Sequence, residues 1–142
     1  MVVYEHSAGG VIYRKHKNAI QILLLKDKNN NWSFPKGLIE KAEDPVKTAE
    51  REIEEEVGLQ HLTFIAPLAS IGYFYRFQGN LIRKKVDFYL FSYTGYEKPK
   101  PLVSEGIQDA RWFPANETLA IIGYAKTNKP VLVKALKIIH NS

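Results

Sequence analysis

Residues Gly37 to Leu59 read GLIEKAEDPVKTAEREIEEEVGL, and the seven positions from Glu50 to Glu56 hold five glutamates and one arginine. Asp44 followed by Pro45 predicts a helix start. The aspartate side chain can accept from free N–H groups, and proline lacks the N–H that would be orphaned at the first helical position. Gly58 supplies the left-handed residue that ends the helix, which therefore spans about 45–57. Val46, Ala49, Ile53 and Val57 recur at helical spacing and predict the buried stripe. Glu52, Glu55 and Glu56 stand at i, i+3 and i+4 on a neighbouring face, where like charges repel by roughly 0.2–0.5 kcal/mol per pair in an isolated helix. A hard divalent cation offsets that repulsion, because Mg²⁺ and Mn²⁺ prefer carboxylate oxygens and keep waters that substrate phosphates replace. Glu-rich helices are more usually solvated faces. Three features argue otherwise here: the acidic face follows a Pro35-Lys36-Gly37 turn, it contains Arg51, and the chain as a whole carries a net charge of +5.

Gly37, Glu43, Arg51, Glu52, Ile53, Glu55, Glu56, Gly58 and Leu59 fit without a gap the pattern G-x5-E-x7-R-E-U-x-E-E-x-G-U, with U a bulky aliphatic residue. The segment resembles a Nudix box, matched at all nine constrained positions. The likeness extends outward through Ser7-Ala-Gly-Gly-Val-Ile, through Trp32-Ser-Phe-Pro-Lys-Gly, and through Glu105 with Ala110-Arg-Trp-Phe-Pro. It is least specific in the last thirty or so residues.

Composition agrees with one such domain over residues 1–142. A chain of 142 residues with 45% apolar content can bury a sizeable core, and no linker, repeat or low-complexity stretch divides it. No run is long enough to span a bilayer, and MVVYEHSAGG lacks the basic-then-apolar layout of a secretory signal. The absence of cysteine excludes disulfides and thiolate metal sites and fits a cytoplasmic location. Because the box is acidic, the rest of the chain is more basic still, which suits a polyphosphate or nucleic acid partner.

Strands are expected over Val2–Tyr13 and Ile20–Leu25, joined by a turn at His16–Ala19. A second hairpin is expected from Leu62–Phe77 and Ile82–Tyr93 around Gln78-Gly79-Asn80, with a short strand at Ala110–Phe113. Val131, Leu132, Ala135, Leu136 and Ile139 predict an amphipathic helix over Pro130–Ile139. Strands and helices interleave without repeated βαβ units, giving an α+β class with a mixed sheet between helices. The resemblance implies the same α/β/α sandwich.

The resemblance also implies the chemistry. A phosphoanhydride is cleaved by water attacking phosphorus, which requires charge neutralisation on the phosphate oxygens and a positioned water. Glu52, Glu55 and Glu56 are the implied Mg²⁺ ligands, with Mn²⁺ able to substitute and the Gly37 carbonyl as an added ligand. Glu55 is the first candidate for general base and Glu105 the second, since family members differ on this point. Arg51 is expected to pair with Glu43 and fix the loop to the helix.

Outside the box, Trp32-Ser-Phe-Pro-Lys36, Tyr73-Phe-Tyr75 and Lys84-Lys-Val-Asp-Phe-Tyr89 are most similar to diadenosine tetraphosphate (Ap4A) hydrolases. Tyr75 takes the place of a tyrosine that this group carries beyond the box. An exposed aromatic there can stack on a purine, while Lys36 and Lys84 can meet the phosphate chain as point charges. Lys84-Lys85-Val86 stands where related sequences have Lys-Thr-Val, adding a charge. No proline occupies the place of Tyr75, unlike the ADP-ribose hydrolases, and the added motif of coenzyme A hydrolases is missing. The expected function is asymmetric hydrolysis of Ap4A to ATP and AMP. The alternatives are a house-cleaning nucleoside triphosphate pyrophosphohydrolase, an RNA 5′-end pyrophosphohydrolase using a basic groove that includes Arg76, Arg83, Lys84 and Lys85, and, less favoured, a non-catalytic nucleotide sensor. His6, His16, His61 and His140 read as structural or surface residues.

Overall fold

The computed structural model describes residues 1–142. Its centre is β1 (Val2–His16), which turns at Lys17 and Asn18 into β2 (Ala19–Lys26). Both turn residues have positive φ, 49° and 65°, the geometry whose twist matches that of the flanking strands. β3 (Trp32–Ser33) and β4 (Lys36–Leu38) follow, then α1 (Pro45–Val57). β5 (Thr63–Phe77) and β6 (Asn80–Ser92) form a long hairpin, and β7 (Asp109–Pro114), α2 (Thr118–Ile121) and α3 (Ala125–His140) complete the chain.

The seven strands make one mixed sheet in the order β3-β2-β1-β6-β5, with β4 on β1 and β7 on β2. β1 runs parallel to β6 from Val2 to Tyr13 and antiparallel to β2 and β4. The pairing of Ser7–Gly9 with Lys36–Leu38 brings the turn ahead of α1 against the sheet.

Helices cover both faces. The run Ile22-Leu-Leu-Leu25 alternates between them: Ile22 and Leu24 pack with Phe34, Val86, Phe88, Val131 and Leu132 on the α3 side, and Leu23 and Leu25 pack with Ala49, Ile53, Val57 and Phe91 on the α1 side. A strand buried on both faces reads as continuous hydrophobicity, as here. This is the expected α+β sandwich. No helix is long and apolar enough to cross a membrane.

The C-terminal helix begins at Ala125 rather than at Pro130, so the proline lies inside it. The stripe continues one step upstream through Asn128, which is 4% exposed and donates from Nδ2 to the Ser33 hydroxyl and the Gly123 carbonyl. A polar residue in that stripe position conceals the helix start from an apolar pattern. β3, β4 and α2 also go beyond the sequence expectation; each is too short to show a period.

Candidate active site

α1 keeps the ends its sequence dictates. The Asp44 carboxylate accepts from the Val46 N–H at 3.0 Å, and Gly58 closes the helix at φ 75°. Ala49, Ile53 and Val57 are fully buried, with Val46 packed at the margin. The polar face then forms around Arg51. Its Nε donates to Glu43 Oε2 at 2.9 Å and its Nη2 to Glu43 Oε1 at 3.0 Å, a bidentate charge-assisted pair. Nη2 also reaches the Leu38 carbonyl, while Nη1 donates to Glu52 at 2.9 Å and to Glu55 at 3.2 Å. Arg51 thus fixes the 38–43 loop, as read from the sequence, and also orients two of the box glutamates. The hydrogen bonds from Arg51 and Thr48 hold the Glu43 carboxyl down at about 2, and the Glu43 bond in turn raises the Arg51 guanidinium.

Glu52 lies over Gly37. A Cβ on that glycine would stand 2.0 Å from the Glu52 carboxylate carbon, so only glycine leaves the carboxylate its place. Burial raises the Glu52 carboxyl, with the Glu55 charge adding to the effect and Arg51 opposing it. Glu56, one turn on, is 8% exposed and accepts one bond, from the Lys36 N–H at 3.0 Å. Its carboxyl is pushed up to about 8, chiefly by burial, with Glu52 and Glu105 adding repulsion against the Lys36 bond.

Glu105 is far in sequence but is delivered by backbone bonds. The Lys100 and Leu102 N–H groups donate to the Val57 and Glu56 carbonyls at 2.7 and 3.0 Å, satisfying acceptors that the helix end leaves free. The short turn Val103–Glu105 follows directly.

The donor set is oxygen alone and carries more negative charge than Arg51 neutralises, which suits a hard divalent cation. With Glu52 and Glu55 bonded to Arg51, no three acidic side chains close on one point. A cation would compete with Arg51 for those oxygens and with a proton for Glu56.

A cavity of about 740 Å³ opens beside Glu56, its lining including Lys36, Phe34, Tyr73, Tyr75 and Lys84 as well as Asp27, Lys28 and Tyr124. Lys84 Nζ lies 3.8 Å from Glu5, and burial followed by the Lys36 charge lowers its ammonium. The Tyr75 hydroxyl donates to Glu5 at 2.5 Å, which pushes its pKa up to about 12 and fixes the ring. The Tyr73 and Tyr75 ring centroids are 6.2 Å apart.

The structure therefore gathers Lys36, Glu56, Tyr75 and Lys84 around one cavity, with Gly37 and Glu52 beside it. Glu55, 45% exposed, is turned to Arg51, and Glu105 is exposed yet near enough to bear on both Glu52 and Glu56. Arg83, Lys84 and Lys85 do not form one basic groove: Lys84 faces the cavity, and strand alternation turns its two neighbours to the opposite face. His6 is a surface residue bonded to Asp87 at 2.6 Å.

Three participants escape sequence reasoning. Glu5 anchors Tyr75 from 70 positions away, Asp27 accepts from the Tyr124 hydroxyl at 2.6 Å, and Tyr124 starts α3 at φ 51°. The one available signal is a glutamate within the apolar N-terminal strand.

The site is thus built on a mixed sheet between helices, with a glutamate-rich helix held to the preceding loop by Arg51. The NUDIX domain family model matches residues 3–135, and the chain belongs to the Nudix family, whose hydrolases generally use divalent metals such as Mg²⁺. A Mycobacterium tuberculosis protein named as a mutator protein, MutT4, is 31% identical over 132 residues, 87% of this chain. The chain spans about half the length of that relative, 51%. Among solved structures, a Caenorhabditis elegans Ap4A hydrolase binary complex is 26% identical with a TM-score of 0.79, covering 97% of this chain and 99% of the other. The Escherichia coli dihydroneopterin triphosphate pyrophosphohydrolase shares the fold at a TM-score of 0.74, with 17% identity and 95% and 99% coverage.

Proposed function

We propose that this chain acts as a single Nudix domain in the cytoplasm and hydrolyses dinucleoside polyphosphates, cutting Ap4A asymmetrically to ATP and AMP with Mg²⁺. The observation that carries the reading is one cavity whose lining joins Lys36, Lys84, Tyr73 and Tyr75 with the buried Glu56. The likeness to an Ap4A hydrolase at 26% identity over nearly the full length of both chains supports it.

Lys36 and Lys84 hold the phosphate chain, and the ring of Tyr75, fixed by Glu5, stacks on a base. Glu52, Glu55 and Glu56, with the Gly37 carbonyl, would hold Mg²⁺, which when bound would supply neutralisation of the charge on the phosphate oxygens. Glu55 takes the proton of the attacking water, with Glu105 as the alternative base. The water oxygen bonds to a phosphorus away from the symmetric centre, the bridging P–O bond breaks, and its electron pair leaves with the departing phosphate.

A nucleoside triphosphate with one base is the second reading, favoured by the 31% identity to a protein named as a mutator protein. Product analysis and kcat/KM over Ap4A, normal and damaged triphosphates, ADP-ribose and 5′-triphosphorylated RNA separate the two. Ap4A leading, with ATP and AMP as products, supports the first; a leading triphosphate or RNA overturns it.

A further inference from the structure

Opposite the cavity, the sheet face that α1 covers at Ala8, Ile12 and Phe91 runs on to exposed residues at Tyr4 and Phe74. There the register of β1, β6 and β5 sets Tyr4, Arg83 and Phe74 in one row across three strands. Tyr4 is 71% exposed and Phe74 61% exposed. The Arg83 guanidinium lies between them, 5.9 Å from one ring centroid and 6.0 Å from the other, and makes no ion pair. The next row is His6, Lys85 and Gly72. Gly72 contributes no side chain, and only the Lys84 carbonyl lies near where one would begin. The result is a shallow groove of about 530 Å³ lined by Tyr4, His6, Ser70, Gly72, Arg83 and Lys85. Ile71 and Lys84, which strand alternation turns towards the cavity, border both groove and cavity. Asp87 is bonded to His6 and Ser70 of this groove's lining and lies 3.8 Å from Lys85.

Exposed aromatics at sheet spacing with cations between and beside them match one chemistry: successive flat bases joined by phosphates. Bases stack on aromatic faces without sequence preference, and Arg and Lys meet the intervening charge. A bare polyanion needs no rings, and an apolar partner is poorly served by Arg83 and Lys85.

We infer that the Tyr4–Arg83–Phe74 row and Lys85 form a binding platform for single-stranded nucleic acid, on the strand face opposite the one that Lys84 turns to the catalytic cavity. The inference does not rest on the hydrolytic reading, because the two surfaces lie on opposite faces of the sheet.

The test is fluorescence anisotropy with an oligouridylate of about twelve nucleotides, within the usual single-strand site sizes, carrying a 3′ dye and a 5′ hydroxyl. It is run with the full chain in chelator, so that the cavity is offered neither a terminal phosphate nor a metal ion. Binding should weaken as salt rises. The Tyr4→Ala, Phe74→Ala double variant should lose about tenfold or more in affinity, as expected for losing one stacked base or two. The Arg83→Glu, Lys85→Glu double variant should abolish binding, and both should keep wild-type turnover of nucleotides. If the aromatic variant fails to fold, Tyr4→Ser alone is read against the charge variant. No binding at low salt overturns the platform, as does binding that neither variant weakens. Loss in the charge variant alone, with the aromatic variant unaffected, reduces the surface to polyanion attraction and also overturns it.

Discussion

Arg51 grips Glu43 at both carboxylate oxygens, through Nε at 2.9 Å and Nη2 at 3.0 Å, while its third nitrogen holds Glu52 and Glu55. The contact that fastens the loop is therefore also the one that aims the acidic face. Glu43 is held at about 2 against an ordinary 4.5, so its contribution to stability is complete above 4.5 and is lost as pH falls towards 2. Melting curves of the wild type and Glu43→Gln should differ most near neutral pH and converge across that window. A gap that stays constant down to pH 2 would remove the ionic account of this pair.

Glu56 has the opposite sign. Its folded value of about 8 lies above the ordinary 4.5, so between those limits the folded chain keeps a proton that the unfolded chain has shed. In chelator, stability should therefore fall as pH rises through this window. Glu56→Gln should flatten the slope, and Mg²⁺, by replacing the proton, should stabilise the wild type more at the upper end. Differential scanning fluorimetry across pH with and without Mg²⁺ checks this; a wild type in chelator that melts equally throughout would refute it.

Gly37→Ala puts a methyl group where the Glu52 carboxylate sits. A carboxylate end can swing away, so the fold should survive with a small change in Tm. The concentration of Mg²⁺ needed for half-maximal activity should instead rise. An unchanged metal requirement would separate Glu52 from the metal.

Glu55→Gln should lower kcat by about a hundredfold or more, the usual worth of a positioned base, while nucleotide binding changes little. An unchanged rate would pass the role to Glu105 and make Glu105→Gln the decisive variant.

Tyr75→Ala should raise KM for a two-base substrate by roughly tenfold, in keeping with about 1–3 kcal/mol per stacked base, and spare a one-base triphosphate. Tyr75→Phe keeps the ring and loses only its tie to Glu5, so its effect should be smaller. Equal losses on both substrates in Tyr75→Ala would end the stacking assignment.

Much of this molecule is legible in the chain. α1 is readable because chemistry marks both of its ends, Asp44 with Pro45 at one and Gly58 at the other. The Glu43–Arg51 pair is what the motif resemblance implies, and both long hairpins are readable from their apolar runs and the turns between them. α3 is misread at its start because Asn128 occupies a core position by bonding Ser33 and Gly123. The Glu5–Tyr75 tie depends on the parallel register of β1 with β6 and the antiparallel register of β6 with β5, which bring together residues 70 positions apart. No local pattern encodes those registers, whereas the separation of Lys84 from Lys85 follows from alternation along the strand. Glu105 has the motif's company but not its position, which comes from the Lys100 and Leu102 bonds.

Those two bonds gear a distant loop to the end of α1. Chain inserted after Tyr96 and before Lys98 would only lengthen an exposed stretch, whereas one residue added between Leu102 and Glu105 would turn that carboxylate away from the helix. Loop length downstream of this fastening thus sets where the Glu105 carboxylate stands, while length upstream of it leaves that place unchanged.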